Sequence, residues 1–255
     1  MALGLWAYLR LKLRATYLRF FVRLRRFLSG GAALRLAPGD IHPQRVRIPS
    51  RDPGRFIVGD LYCPEATAAT TATPKTRPVL VNWHGSGFVF HNFGTDAVFC
   101  ARVARAAGIY GRQTALTIPV VVAVYPPTDL ATDKYSRALP AGAPGAVRQL
   151  SLFFDNCYAP DPATRTDPRI SPLFADPALF PETVVVVTCG RDTLQPEGAQ
   201  LAARLDDGTR TLVHSVVPGA FHAFDKMCRD GTPEAAQRDT MYADIIQQLR
   251  KALGV

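Results

Sequence analysis

Four short runs rich in β-branched residues limit what this chain can become: Pro78–Trp83, Pro119–Tyr125, Thr183–Thr188 and Leu212–Val217. A strand that is apolar on both faces must be covered on both, and a parallel sheet between helices does this. Helical stretches at about 95–107, 195–206 and 233–252 lie between and after these runs. The alternation predicts an α/β fold, a mostly parallel sheet with helices on both faces. Upstream, Val46-Arg47-Ile48 and Arg55–Tyr62 flank Asp52-Pro53-Gly54 and read as a hairpin. Residues 65–77, rich in Ala and Thr, read as a surface loop.

A formal net charge of +9 raises nucleic acid as a partner, so the placement of the charge matters. Arg10, Lys12, Arg14, Arg19, Arg23, Arg25, Arg26 and Arg35 fall within residues 1–39, which contain no acid. Over residues 40–255 the other 22 basic residues face 21 acidic ones, so the body is close to neutral. With no nucleic-acid motif in that body, this class of partner is excluded.

Trp6, Leu9, Leu13, Tyr17, Phe20, Leu24 and Phe27 recur at steps of three and four, so residues 1–28 read as an amphipathic helix ended by Ser29-Gly30-Gly31. Arg10 and Arg14 flank one edge of the stripe; Lys12, Arg19, Arg23 and Arg26 flank the other. Three uses fit: peripheral contact with an acidic membrane surface, an Arg-rich transit peptide, or a cover over an apolar part of the body. The longest uncharged stretch near the start, residues 1–9, is far short of the roughly 20 residues that span a bilayer. Cys63, Cys100, Cys157, Cys189 and Cys228 lie far apart, without a CxxC pair or zinc-ligand spacing. The expectation is reduced thiols, no metal, and an intracellular, cytoplasmic protein that is at most peripheral to a membrane.

In parallel α/β sheets the functional groups collect beyond the carboxyl ends of the strands. After the first run comes His84-Gly85-Ser86-Gly87-Phe88, where two glycines let backbone N–H groups turn toward a shared space, as an oxyanion requires. The third run leads into Cys189-Gly190-Arg191-Asp192, and the fourth into Pro218-Gly219-Ala220-Phe221-His222. An Asp and a His in such places suit an acid that orients a base. Each also has a plain alternative: a tight turn at Gly85–Gly87, a helix cap at Asp192, a surface or core histidine at His222.

Taken together, these motifs resemble the hormone-sensitive-lipase-like branch of the α/β-hydrolases, the fold-3 esterases and lipases, and especially its fungal members. The likeness covers roughly residues 46–252. His84–Phe88 is similar to the HGGGF/W oxyanion loop with Ser in the middle, Tyr125-Pro126-Pro127-Thr128-Asp129 to the strand end after the nucleophile helix, and Asp167–Pro172 to the DPxxSP segment. The resemblance implies Asp192 as catalytic acid, His222 as catalytic base, Gly85, Ser86 and Gly87 as oxyanion donors, and His84 as support of that loop. It also implies a small-molecule carboxylic ester or acyl ligand and no cofactor.

The family's Gly-x-Ser-x-Gly nucleophile elbow is missing. None of Ser29, Ser50, Ser86, Ser136, Ser151, Ser171 or Ser215 has glycines two positions to either side. Between the first helix and the next strand stand only residues 108–118, where the family places two more strands and their helices, on the order of 60 residues. The expected molecule is thus an α/β-hydrolase with its central strands deleted: residues 1–40 a basic cap or membrane-facing helix, and 41–255 a hydrolase domain incomplete between about 108 and 118. Either 78–83 closes up against 119–125 or the chain folds poorly. The expected function is that of an ester hydrolase impaired by loss of its nucleophile, with a non-catalytic acyl-ligand-binding or membrane-associated interaction protein as the alternative.

Overall fold

The computed structural model describes residues 4–28, 36–37, 39–64, 79–92, 94–107 and 118–255. Its centre is a three-stranded parallel sheet in the order β3 (Val120–Val124), β4 (Thr183–Cys189), β5 (Thr211–Val217). The ladder sets Val120 against Thr183 and Thr183 against Thr211, so the carboxyl ends of β4 and β5 lie side by side. Side chains alternate across a strand, and β4 uses both faces. Val184 and Val186 pack with Leu201, Ala202 and Leu205 of α4 (Gln195–Leu205). Val185, Val187 and Cys189 pack with Phe99 and Val103 of α2 (Ala97–Ala107) and with Met241, Ile245 and Leu249 of α5 (Pro233–Leu253). Burying a side chain of this kind contributes about 1.5–3 kcal/mol, so β4 is the strand on which the core rests.

The Asp52-Pro53-Gly54 turn forms as expected, with Arg55 N–H donating to the Asp52 carbonyl at 3.2 Å. It joins β1 (Gln44–Pro49) and β2 (Phe56–Leu61) into an antiparallel pair. This pair is a sheet of its own, apart from the parallel one. The fold is therefore α/β, with parallel and antiparallel strands flanked by helices and, among the described residues, fewer strands than a full hydrolase sheet.

Two expectations need correction. Residues 79–83 form no strand, and β3 pairs only with β4 among the described residues, so the run does not close up against 119–125. Leu80 packs against the core, while Val79, Val81 and Trp83 stay exposed. The second correction is an added helix, α3 (Ala146–Tyr158), carrying buried Phe153 and Asp155. The expected loop at 65–77 and the expected deficit at 108–118 lie outside the described residues, Ile118 excepted.

The amino-terminal helix forms as α1 (Leu5–Leu28). Its predicted apolar stripe does not cover the body, however: Trp6, Leu9, Leu13, Tyr17, Phe20, Leu24 and Phe27 are all exposed. The half-buried row is Leu11, Ala15, Leu18 and Val22.

Candidate active site

Beyond the carboxyl ends of β4 and β5 the backbone is stitched together. Gly190 N–H donates to the Val217 carbonyl and Arg191 N–H to that of Ala220, both at 2.9 Å. A Cβ on Gly190 would sit 3.2 Å from the Gly219 nitrogen and 3.4 Å from the Val217 oxygen, so glycine permits this approach. The stitching brings Asp192 and His222 together: His222 Nδ1 lies 2.8 Å from Asp192 Oδ2. Asp192 is 2% exposed, and its other oxygen accepts the Leu194 N–H at 3.0 Å. The residue capping α4 is Leu194, not Asp192, which removes the helix-cap alternative. Arg191 adds a clasp, its guanidinium 4.2 Å from the centre of the Phe221 ring and its Nε donating to the Gly142 carbonyl at 3.0 Å.

The His222 ring meets the Tyr125 ring edge to face at 4.8 Å. Tyr125 stands just past β3 and donates its hydroxyl to Asp225 at 2.8 Å. Burial, and then the Asp225 charge, push the Tyr125 phenol well above its ordinary range, so it remains a neutral donor. Asp225 also accepts from Tyr242 at 2.7 Å and pairs with Lys226 at 2.8 Å. Lys226 reaches Asp96 at 2.7 Å, and Asp96 accepts from Asn82 at 2.8 Å. This polar chain ties the His222 loop to the segment leading into His84–Phe88.

That segment rests on α3. Phe88 stacks on Tyr158 with ring centres 3.8 Å apart, and Phe90 meets Phe154 edge on at 5.4 Å. Gly87 has φ +51°, and a Cβ there would lie 2.8 Å from the Phe154 ring. The loop is further held by Asn92 donating to the Gly85 carbonyl at 2.8 Å and by Phe90 N–H donating to the Ser86 carbonyl at 2.9 Å. Ser86 Oγ accepts the Phe88 N–H at 3.1 Å. His84 Nδ1 stands 3.4 Å from the Gly85 carbonyl oxygen. No hydrogen bond or ring contact joins Gly85, Ser86 or Gly87 to Asp192 or His222 among the described residues.

The three non-glycine residues with positive φ among those described are Phe88 (+59°), Tyr125 (+41°) and Ala223 (+57°). One lies in the glycine loop, one against His222 and one next to it. Such backbone costs about 1–3 kcal/mol each and gathers where function demands it.

At the start of α4 lies a buried charge cluster that the sequence reading missed. Glu197, on the first turn of α4, is fully buried and accepts the Thr128 N–H at 2.9 Å and Lys134 Nζ at 3.1 Å. Arg137 bridges Glu197 and Asp129. Burial works to raise the Asp129 carboxyl, but hydrogen bonds from Thr132 and the Arg137 charge outweigh it and hold it below the ordinary range. At Asp155, 3.6 Å from Lys134, burial prevails and the carboxyl is raised. The cluster fixes residues 128–137 against α4, on the chain that follows Tyr125. A cleft of about 370 Å³, lined by Ile118, Val121, Pro172, Leu179 and Phe180 among others, lies elsewhere, and neither Asp192 nor His222 borders it.

Residues 107–226 match a protein-family model described as an alpha/beta hydrolase fold. No curated protein matches the chain. Among solved structures, carboxyl esterase 2 from the mycorrhizal fungus Tuber melanosporum is similar at 19% identity and a TM-score of 0.67, over 84% of this chain and 87% of that one. A hyperthermophilic esterase from the archaeon Pyrobaculum calidifontis aligns over 98% of this chain and 99% of its own, at 17% identity and a TM-score of 0.71. A thermophilic carboxylesterase cloned from a metagenomic library aligns over 92% and 97%, at 20% identity and a TM-score of 0.69. These likenesses establish the fold.

Proposed function

We propose that this chain, of α/β-hydrolase fold and matched by the hydrolase model over residues 107–226, carries a carboxylic-ester site that keeps its acid and base and lacks its nucleophile. The observation that carries the reading is the 2.8 Å contact of His222 with buried Asp192 at the ends of neighbouring parallel strands. Asp192 accepts the Nδ1 proton and orients the ring, which leaves Nε2 as the basic atom. An ester carbonyl placed between Nε2 and the N–H groups of Gly85, Ser86 and Gly87 would find a base on one side and oxyanion donors on the other. Because the sequence has no Gly-x-Ser-x-Gly, the attacking group left to Nε2 is water, which gives its proton to the ring as hydroxide adds to the carbonyl. Collapse of the adduct expels the alkoxide, which takes that proton back. Turnover by this route lies orders of magnitude below that of an intact serine site.

The test is to express the chain and follow p-nitrophenyl butyrate hydrolysis, fluorophosphonate labelling and thermal unfolding with added fatty acids. Slow turnover that falls further in His222→Ala, no labelling, and a saturable ligand shift are expected. Labelling that depends on His222 would sink the missing-nucleophile reading. A ligand shift with no turnover would favour the second reading, a binding protein for acyl ligands. As to place, the proposal is an intracellular, cytoplasmic protein held at the periphery of a membrane through residues 1–28.

A further inference from the structure

The faces of α1 point in opposite directions. At about 3.6 residues per turn, the row Leu11, Ala15, Leu18, Val22 and the stripe Trp6, Leu9, Leu13, Tyr17, Phe20, Leu24, Phe27 are separated by roughly 180°. The first row is half-buried, and between its residues Arg19 Nε donates to the Val89 carbonyl at 2.7 Å, on the segment that carries Phe88 and Phe90. The second is open: Trp6 is 79%, Leu13 72% and Phe27 83% exposed. Seven large apolar side chains along a helix about 36 Å long exceed the apolar patch of an ordinary soluble surface.

Charge decides what can cover them. The helix contains no acid, and Arg10, Lys12, Arg14 and Arg23 are exposed beside the stripe. A second copy laid stripe to stripe would bring like charges together, whereas an anionic lipid surface takes up the apolar side chains and pairs with the basic ones. No helix among the described residues is long and apolar enough to cross a membrane.

Resting on the peripheral placement proposed above, we infer that α1 lies in the plane of an anionic lipid surface, docked by the Trp6–Phe27 stripe and joined to the protein by the opposite row and the Arg19–Val89 bond. The glycine loop is thereby held on the side of the protein that carries the membrane-facing helix.

The full chain is tested by co-sedimentation with vesicles of phosphatidylcholine containing about 30% phosphatidylserine, and with phosphatidylcholine alone. Pelleting with the anionic vesicles that weakens with salt is expected. A triple variant, Trp6→Ser, Phe20→Ser and Phe27→Ser, should lose about tenfold or more in partition while its unfolding temperature stays unchanged. No pelleting of the unaltered chain overturns membrane contact itself. Equal pelleting of chain and variant overturns this docking face and leaves contact through another surface. A vesicle-free doubling of mass in sedimentation velocity, abolished in the variant, assigns the stripe to a second copy and overturns the inference. None of these outcomes bears on the ester assay.

Discussion

Two runs of similar apolar character meet opposite fates in this molecule. On β4, Val184 to Val187 are each at most 2% exposed; in residues 79–83, Val79, Val81 and Trp83 are 52%, 57% and 83% exposed. The difference lies in their neighbours. β4 has β3 on one side, β5 on the other and helices on both faces, while residues 79–83 pair with no strand among those described. Apolar composition makes a strand possible, and only a ladder on its edges and a layer on its faces make it buried.

Substitutions can break or sharpen this contrast. The largest effect is expected on the ordered side, where Glu197→Ala strands Lys134 and Arg137 in a buried site; a loss of about 3–5 kcal/mol should appear as a lower urea midpoint. Leu205→Ala, which opens a cavity beneath Val184 and Val186, should remove about 3 kcal/mol in the same measurement. Gly87→Ala tests the junction between the two regions. It forces a side chain into positive φ and against Phe154, for about 1–2 kcal/mol and a rise in proteolysis near residue 88. Trp83→Ala, for all its size, should shift the midpoint by no more than about 0.5 kcal/mol. A Trp83→Ala loss as large as that of Leu205→Ala would mean that the 79–83 segment is packed after all.

The helices were legible because their apolar periodicity is local. Residues 195–206 and 233–252 were expected, and 195–205 and 233–253 are found. Asp192 and His222 were legible for a topological reason, since each follows a buried run in a parallel sheet. The helix at 146–158 was missed although Val147, Leu150, Phe154 and Cys157 recur at helical steps. Its aromatic residues then gave no hint that they support Gly87 and Phe88. The Glu197 cluster was out of reach, because Glu197 lies 60 or more positions along the chain from Arg137 and Lys134 and meets them only when α4 docks.

By itself, then, the sequence determined the α/β class, the hairpin turn, the acid-free helix and the absence of a Gly-x-Ser-x-Gly, since each is carried by residues close together in the chain. Tertiary structure decided which apolar runs become buried, that Asp192 faces His222 instead of capping α4, and which side of α1 is left uncovered by the protein. Those outcomes depend on what lies across from a residue, and a one-dimensional pattern gives the spacing of side chains without saying what they face.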